Sequence, residues 1–420
     1  MRTRMKKLLA MVVTGALALS IVAGGGSGSA GAGSDTGSGT QTDAENGTDT
    51  PEEAGTDTPE VVGTAEVAFT NVEPTAFNKD DLEHYKIAFS YFNLSDKLGQ
   101  QFKTVLNYLG DAYNCEFVFF ETGVGDEAVT NIESVLAAGD IDGVIYVGAT
   151  PAVVAVAEKY GVPYVAACGF PSLEEEVQTV ATYDCFLGGI VDDDVWAGEH
   201  CIQALYDAGC RNVALSSLTQ GIVKSHDDRA AAYLKFVADH DDLTSLSESY
   251  TMGDTAADIS TFAASFGNLD GIAFTAGSDT IYQTMESEGI ADGSVKISAV
   301  DISSQTGKYF KNGAQVWTCG GQYVTAECAF AILYTYLMDG TRVISDTTKP
   351  ITRQYIEITN YEEYEEYVKY VESDIPVYTV DEIAAMIPGF GNQYTLADYE
   401  AEASNYSLKS LAERHADLIK

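Results

Sequence analysis

Apolar runs alternate with segments of helical apolar spacing from residue 85 to residue 300. The runs at 86–92, 115–121 and 143–147 are typical of buried strands, and residues 99–112 carry apolar side chains at helical spacing. Strands that are apolar throughout and are separated by helices indicate a parallel sheet covered on both faces. Because the alternation restarts after residue 194, the pattern predicts two consecutive doubly wound α/β lobes.

Three further elements are predicted beyond residue 300, a strand at 314–319, an apolar helix at 325–338 and a strand at 353–358. The remaining residues, 360–420, form an acidic, tyrosine-rich extension with helices predicted at 361–372, 380–387, 396–404 and 408–419. The first of these helices carries an apolar stripe made of Tyr361, Tyr364, Tyr367, Val368 and Val371. We therefore expect the extension to dock on a lobe through that stripe.

The first 23 residues have the composition of a secretory signal peptide, with four basic residues ahead of a short apolar stretch. The stretch is short for a membrane span, which needs about 20 apolar residues. The junction resembles a bacterial lipoprotein signal, but Gly24 stands where the lipid-carrying cysteine would lie, so no lipid anchor is expected there. The mature chain is predicted to act outside the cytoplasm, as a secreted or cell-surface protein.

Residues 24–66 are rich in Gly, Ser and Thr, acidic, and contain only Val61 and Val62 as large apolar residues. A segment of this composition cannot bury enough apolar surface to fold, and its charges repel one another. We expect a flexible linker between the signal peptide and the folded lobes.

The charge balance excludes several classes of partner. Acidic residues outnumber basic ones by 63 to 23, a net charge of −40, and removal of the signal peptide leaves 19 basic residues, or −44. Binding to nucleic acid relies on Lys and Arg at phosphates, so no nucleic-acid partner is expected. The same charge opposes adhesion to anionic membranes.

Seven cysteines and five histidines are scattered without the spacing of a zinc site or a C-x-x-C pair. The cysteines that lie in apolar segments are expected to be buried free thiols. The acidic run at 192–194 leaves two interpretations, a calcium site or a cap or hinge role. Since the alternation of a calcium loop is missing, the second is favoured, with Asp194 capping the next helix.

Catalytic and cofactor motifs are weak. Gly123-x-Gly125-x-x-Ala128 nominally matches a dinucleotide fingerprint, but no acidic residue follows about 20 positions later, so a tight turn is predicted. The sequence contains neither a phosphate-binding loop nor a nucleophile elbow. We expect a protein that is not an enzyme and that uses no cofactor or metal.

Ligands of doubly wound sheets bind beyond the carboxyl ends of the strands. These ends carry aromatic rings and forked polar groups, which suit a small polyhydroxylated or zwitterionic solute. The aromatic residues there include Tyr91, Phe92, Phe170, Trp196 and Tyr323. The polar candidates are Asp96, Asp194, Arg229, Asp279, Asp301 and Gln322.

Several short motifs, in their order and spacing, resemble the type 1 periplasmic solute-binding proteins, the ribose-binding-protein-like sugar binders of bacterial ABC importers. The likeness covers residues 85–358 and includes Ala138-Gly-Asp-Ile-Asp-Gly-Val-Ile145, Tyr160-Gly-Val-Pro-Tyr-Val165, Ala197-Gly198 and Val295-Lys-Ile-Ser-Ala-Val-Asp301. The resemblance implies two lobes that are joined by three chain crossings and close on a ligand.

The resemblance also implies roles for individual residues of the second lobe. Arg229 and Asp301 match an arginine and an aspartate that commonly hold the sugar in the family, and Ser278-Asp279 resembles its Asn-Asp pair. Asp194 falls where the hinge asparagine usually lies, and Gln322 lies one place past the hinge glutamine.

Asp96 corresponds to a first-loop asparagine of the family, but other positions of the first lobe depart from the pattern. Cys168-Gly169 replaces an Asp-Arg pair, and Leu98 and Gly99 occupy the aromatic positions. A pyranose held between two phenyl rings is therefore not expected, although the fold implied by the resemblance is unaffected.

These observations predict an N-terminal lobe of residues 85–190 plus 322–341 and a C-terminal lobe of residues 191–321 plus 342–359. The predicted function is capture of a small polar ligand, most simply a sugar, by a monomer that delivers it to an ABC permease. The alternative is a sensory module that presents the closed form to a receptor kinase or a chemoreceptor. A neighbouring permease gene would favour the first function, and a neighbouring kinase gene the second.

Overall fold

The computed structural model describes Phe69 and residues 74–418. The predicted signal peptide, 1–23, and the predicted linker, 24–66, lie outside the described residues. Within the described part of the chain, no helix combines the length and the apolar character that a membrane span requires.

The strands follow one another in two groups along the chain. In chain order they are β1 (Tyr85–Tyr91), β2 (Cys115–Glu121), β3 (Gly143–Val147), β4 (Tyr164–Ala167), β5 (Phe186–Asp192), β6 (Asn212–Leu218), β7 (Thr244–Thr251), β8 (Gly271–Phe274), β9 (Lys296–Val300), β10 (Gln315–Gly320), β11 (Ile351–Arg353) and β12 (Ile356–Ile358).

Helices separate nearly all of these strands. They are α1 (Lys97–Tyr113), α2 (Asp126–Ala137), α3 (Pro151–Tyr160), α4 (Glu174–Val180), α5 (Asp194–Asp207), α6 (Lys224–Ala238), α7 (Thr255–Ser265), α8 (Asp279–Ser287), α9 (Thr306–Lys311), α10 (Val324–Asp339), α11 (Tyr361–Val371), α12 (Val380–Ala385), α13 (Leu396–Asn405) and α14 (Leu408–Arg414). Short 3-10 turns lie at Lys79–Asp81 and Pro388–Phe390.

Each group of strands forms one six-stranded sheet. The first has the order β11-β5-β4-β3-β1-β2 and is parallel throughout. The second has the order β12-β10-β9-β8-β6-β7 and is parallel except for the antiparallel pair of β10 and β12. Apolar cores cover both faces of each sheet. The predicted fold class, two doubly wound parallel lobes with a helical C-terminal extension, is confirmed.

Local sequence signals explain where individual helices begin and end. Asp96 caps α1 by accepting a hydrogen bond from Gly99 N at 2.7 Å, and α1 ends at Asn114, which has a left-handed backbone. Helix α3 begins with Thr150 as its cap and Pro151 in its first turn. The cap of α1 matters for function because it fixes the position of a candidate ligand residue.

The chain passes between the two sheets three times at one edge. The crossings lie between β5 and α5, between β10 and α10, and between β11 and β12, since α10 packs back on the first sheet. We expected residues 342–359 to belong to the C-terminal lobe, but β11 pairs with β5, so residues 351–353 belong to the first sheet. The predicted single strand at 353–358 is divided by the third crossing, and the prediction was wrong in this respect.

The predicted helices of the extension are present as α11 to α14. Tyr367 and Val371 of the predicted stripe are almost wholly buried in an apolar core that both lobes share, whereas Val368 is 37% exposed. Apart from Val368, the stripe packs as expected, with Tyr361 and Tyr364 partly buried against the same core.

Candidate functional site

Polar side chains at the carboxyl ends of the two sheets meet between the lobes, in a region termed the cleft, where Gln322 contacts both Cys168 of the first lobe and Asp301 of the second. Tyr91 ends β1 in the first lobe, and burial together with Asp96 and Asp301 raises the pKa of its hydroxyl. Asp301, which follows β9 in the second lobe, has its pKa raised by burial and also by Asp96. The charges of both lobes are therefore close enough to interact across the cleft.

Asp301 is held in an unusual conformation by its neighbours. Its φ is +79°, in the left-handed region that a non-glycine residue enters at a cost of about 1–3 kcal/mol. Gln322 Nε2 donates to Asp301 Oδ1, and Thr318 Oγ1 donates to Asp301 O at 2.9 Å. Arg229 and Gln322 oppose the rise in the pKa of Asp301 that burial causes. The carboxylate is thus held by Gln322 of the second crossing, and the backbone of Asp301 is held by Thr318 of β10.

Cys168, at the end of β4, is the counterpart of Asp301 in the first lobe. Its φ is +53°, and Cys168 Sγ lies 2.5 Å from Thr325 Oγ1. Burial raises the pKa of this thiol far above its ordinary value, so the group is a neutral thiol. Among the described residues, Asn114, Asp140, Cys168 and Asp301 are the non-glycine residues with positive φ. Two of these four, Cys168 and Asp301, lie at strand ends in the cleft. Strained backbone of this kind is concentrated at functional sites, so both residues support the choice of this region as the site.

Arg229 lies at the back of the cleft and is 6% exposed. Its Nε donates to Asp194 Oδ1 at 2.8 Å, NH1 donates to Thr275 O at 2.6 Å, and NH2 donates to Tyr355 Oη at 2.7 Å. Tyr355 Oη in turn donates to Asp194 Oδ1 at 2.7 Å. Burial raises the pKa of Asp194, and Arg229 opposes the rise. Most donors of Arg229 are therefore engaged within the protein.

Gly198 permits this arrangement because α5 and α6 approach closely at that point. A Cβ on Gly198 would lie 2.3 Å from the carbonyl oxygen of Arg229. The glycine of the Ala197-Gly198 motif is thus required by the position of the Arg229 backbone.

A neutral hydrogen-bonded chain borders Arg229 on the side of β8. His226 Nδ1 lies 2.9 Å from Thr275 Oγ1, which donates to Ser217 Oγ at 3.0 Å. Burial, and secondarily the charge of Arg229, lowers the pKa of His226 well below its ordinary value. The imidazole is therefore uncharged at neutral pH and adds no charge to the cleft.

The acidic run at 192–194 distributes its three carboxylates to different partners. Asp192 Oδ1 accepts from Arg353 NH2, and Asp194 pairs with Arg229 at 2.7 Å. Asp193 caps α5 by accepting from Trp196 N at 3.0 Å, so the cap is Asp193 and our assignment of that role to Asp194 was wrong. No cluster of three or more metal-ligating side chains occurs in the described chain.

Four candidates lie apart from the charged centre of the cleft. Phe92 is 37% exposed, with its ring 6.2 Å from that of Tyr91. Trp196 is partly buried against the core of the second lobe and stacks on His200. Asp279 accepts from Ser304 Oγ at 2.7 Å, and Ser278 precedes α8 without a side-chain cap bond. Asp96, Asp194, Arg229, Asp301 and Gln322, by contrast, are brought together.

Two residues of the site were not among the predicted ligand residues. Tyr91 was predicted only as one of the aromatic residues at strand ends, although the charges of both Asp96 and Asp301 act on its hydroxyl and help to raise its pKa. Tyr355 contacts both Arg229 and Asp194, and its position between β11 and β12 was hidden within one predicted strand. The strands are separated at Gln354 and Tyr355, and a strand break predicted at these two residues would have placed Tyr355 near the site.

The weak dinucleotide motif is a turn, as predicted. Gly123 and Gly125 have φ of +71° and +62° and precede α2, a conformation that favours glycine.

Solved structures resemble the two lobes together. A galactofuranose binding protein aligns at 12% identity with a TM-score of 0.58, covering 69% of this chain and 99% of its own. A solute binding protein of an ABC transporter from Agrobacterium vitis, bound with alpha-D-tagatopyranose, aligns at 17% identity with a TM-score of 0.58, covering 69% and 97%. One from Actinobacillus succinogenes 130z with bound D-allose aligns at 18% identity with a TM-score of 0.56, covering 67% and 100%.

No protein-family model and no curated protein sequence matches the chain significantly. At identities of 12–18% the structural matches establish the fold rather than the ligand. The chain therefore has the two-lobed fold of the type 1 periplasmic solute-binding proteins, and the resemblance seen in the sequence is confirmed at the level of fold.

Proposed function

We propose that this protein captures a sugar or a similar small polyol between its lobes outside the cytoplasm and delivers it to an ABC permease. The observation that carries the proposal is the convergence of Asp96, Asp301 and Gln322 between two lobes, with Asp301 held at positive φ. The ligands bound by the structural neighbours, among them D-allose and alpha-D-tagatopyranose, support the choice of a sugar.

The chemistry of the cleft suits hydroxyl groups. The carboxylate oxygens of Asp96 and Asp301 can accept hydrogen bonds from the hydroxyl groups of a ligand. Hydrogen bonds to an ionised carboxylate are stronger than those between two neutral groups. The ring of Tyr91 and the exposed ring of Phe92 offer apolar faces to the C–H groups of a sugar. Arg229 and Asp194 would form the wall behind the ligand, since they are already paired with each other.

The proposed mechanism is closure of the two lobes about the edge crossings, with no covalent chemistry. The ligand would stabilise the closed form only through contacts that exist in that form. The net charge of −40 supports a soluble partner rather than a nucleic acid.

Thermal unfolding with a ligand panel tests the proposal. The panel contains pentoses, hexoses and inositol, with nucleosides and amino acids as the comparison classes. A ligand at a hundredfold excess over its Kd should raise the free energy of unfolding by about 2.7 kcal/mol. We expect at least one sugar or polyol to raise the melting temperature. Stabilisation by an amino acid or nucleoside alone would overturn the assignment to sugars, and the absence of any stabilisation would contradict solute capture.

A further inference from the structure

The C-terminal extension divides into two parts that rest on different lobes. Helix α11, the first part, packs on α9 and β12 of the second lobe, and it also contacts α14 of the second part. The ring of Tyr364 lies so close to Gly307 that a Cβ on that glycine would be 2.3 Å from the ring. Lys311 Nζ lies 4.0 Å from the centre of the Tyr361 ring. Helix α11 is therefore attached to the second lobe.

The second part, residues 377–418, rests on the first lobe. Helix α12 packs against α10, which covers the first sheet, and Tyr113 Oη of α1 donates to Val380 O at 2.7 Å. The ring of Phe390 stacks on Phe77 with 4.7 Å between centroids, and also lies against Tyr113. This part is therefore attached to the first lobe.

Residues 372–376 connect the two parts and so pass from the second lobe to the first. Glu372 Oε1 lies 2.5 Å from Lys97 Nζ at the start of α1, and Tyr323 Oη donates to Val371 O at 2.8 Å. Tyr367 and Val371 are buried in the same apolar core as β1 and α1. The chain thus passes between the lobes at this segment as well as at the three edge crossings.

The position of this segment matters for hinge motion. The edge crossings leave β5, β10 and β11, whereas Lys97 begins the helix that follows β1, four places from β11 in the first sheet. The segment begins beside the second crossing, where Tyr323 contacts Val371, and extends from the hinge edge toward Lys97, so it must lengthen when the lobes separate. Five extended residues span at most about 18 Å. A wide opening would therefore require α11 to leave either α9 and β12 or the first-lobe part, which it contacts through α14.

We propose that residues 372–376 form a fourth interlobe connection that limits opening of the cleft and holds the unliganded protein partly closed. The inference builds on the lobe closure of the proposed function, but its test uses no solute. A failure to find a ligand would therefore leave the result of the test unaffected.

A protease recognition sequence inserted between Asp374 and Ile375 allows the connection to be cut in the folded protein. Spin labels on Val124→Cys and Met252→Cys report the cleft opening, because both positions follow the strands farthest from the hinge edge and are 46% and 70% exposed. The protein without the two added cysteines corrects for label on native thiols. After cleavage, we expect the interlobe distances to shift to longer values.

The matched control carries the same insertion between Asn392 and Gln393, which are exposed and lie within the part attached to the first lobe. Cleavage there should leave the distance distribution unchanged. An unchanged distribution after cleavage at 374, with both fragments still associated, would overturn the proposal.

A charge exchange tests the same connection without cleavage. Lys97→Glu places a like charge beside Glu372 and should shift the open-to-closed ratio by roughly two- to five-fold, as expected for a partly exposed ion pair. Lys97→Glu with Glu372→Lys should restore the ratio, and Lys409→Glu within α14 should not alter it. The same open-to-closed ratio in the wild type and in all three variants would contradict the proposal. This outcome decides the question even if the two fragments of the cleaved protein dissociate.

Discussion

At the scale of the residue, Arg353 links all three edge crossings. Its NH2 group donates to Asp192 Oδ1 on the first crossing and to Gly321 O on the second at 3.0 Å. Arg353 itself begins the third crossing at the end of β11. The ring of Tyr406 lies 4.3 Å from the guanidinium centre, and Tyr406 Oη donates to the same Gly321 carbonyl at 3.3 Å. The hinge is therefore organised around one fully buried cation.

The first prediction concerns the pH dependence of the partner of Arg353. Burial raises the pKa of Asp192 to about 7, and Arg353 opposes the rise. The pKa of Asp192 is therefore higher in the folded state than in the unfolded state, where it is near 3.9. The contribution of Asp192 to the free energy of unfolding is complete below the unfolded pKa and is lost as the pH rises through about 7.

Between pH 5 and pH 7, the free energy of unfolding of the wild type relative to Asp192→Asn should therefore fall, by up to about 1.4 kcal/mol per pH unit. Urea titrations at several pH values measure this difference, with Asp241→Asn, an exposed substitution, as the control. A difference that stays constant between pH 5 and pH 7 would show that Asp192 is already ionised in the folded state over that range.

The second prediction separates ligand contact from structural support in the cleft. Asp301→Ala removes an acceptor directed into the cleft, and should weaken binding of the sugar found in the panel by roughly 2–5 kcal/mol. Arg229→Ala leaves the buried Asp194 without its partner, and should lower the free energy of unfolding by about 3–5 kcal/mol. Calorimetric titration and urea unfolding of both variants provide the measurements, with Asp241→Ala as the control. Unchanged affinity in Asp301→Ala would remove that residue from the site.

At the scale of the element, the contact of α9 with α11 depends on one glycine. Helix α9 has only six residues, and Gly307 lies in its first turn beneath the ring of Tyr364. The close approach buries Tyr364 in part and places α11 on the second lobe. A short helix of low intrinsic stability is thus held by the extension that covers it.

Gly307→Ala should therefore cost about 1–3 kcal/mol of unfolding free energy through overpacking. In Gly307→Ala with Tyr364→Ala, the clash is absent, so the glycine substitution should cost little. Gly267→Ala serves as the control, since no atom lies within 4 Å of a Cβ placed there. Equal costs of Gly307→Ala in the presence and absence of the Tyr364 ring would show that the two residues do not interact.

Some elements could not be predicted from the sequence. Helix α4 has seven residues, of which only Val180 is buried, so it lacks an apolar stripe. Strand β5 contains Gly188 and Gly189, which lower its strand propensity, although Ala166 packs closely on the second glycine. Long helices with apolar stripes, such as α1 and α10, were predicted within a few residues of their observed ends.

At the scale of the whole molecule, one apolar core runs through both lobes and the extension. It contains Phe89 of β1, Ile302 and Ile358 of the second lobe, and Tyr367 and Ile383 of the extension. Removing the extension would expose part of this core, so its loss should destabilise the lobes themselves.

The final prediction concerns the overall dimensions. Rigid rotation of the lobes on ligand binding should reduce the radius of gyration, which small-angle scattering measures with and without the sugar found in the panel. The fourth connection restricts opening, so the decrease should be larger in the protein cut at 374 than in the intact one. A radius that stays constant at saturation would contradict closure of the cleft.

The sequence alone determined the class of fold, because apolar strand runs and helical stripes are local patterns that repeat in both lobes. It also determined the carboxyl ends that carry Asp96, Arg229 and Asp301, since ligand sites of doubly wound sheets lie there. Only the tertiary structure decided which of these side chains are engaged by the protein itself. Arg229 meets Asp194 and Tyr355 across 35 and 126 residues of chain, and such contacts depend on how lobes and crossings pack rather than on local spacing.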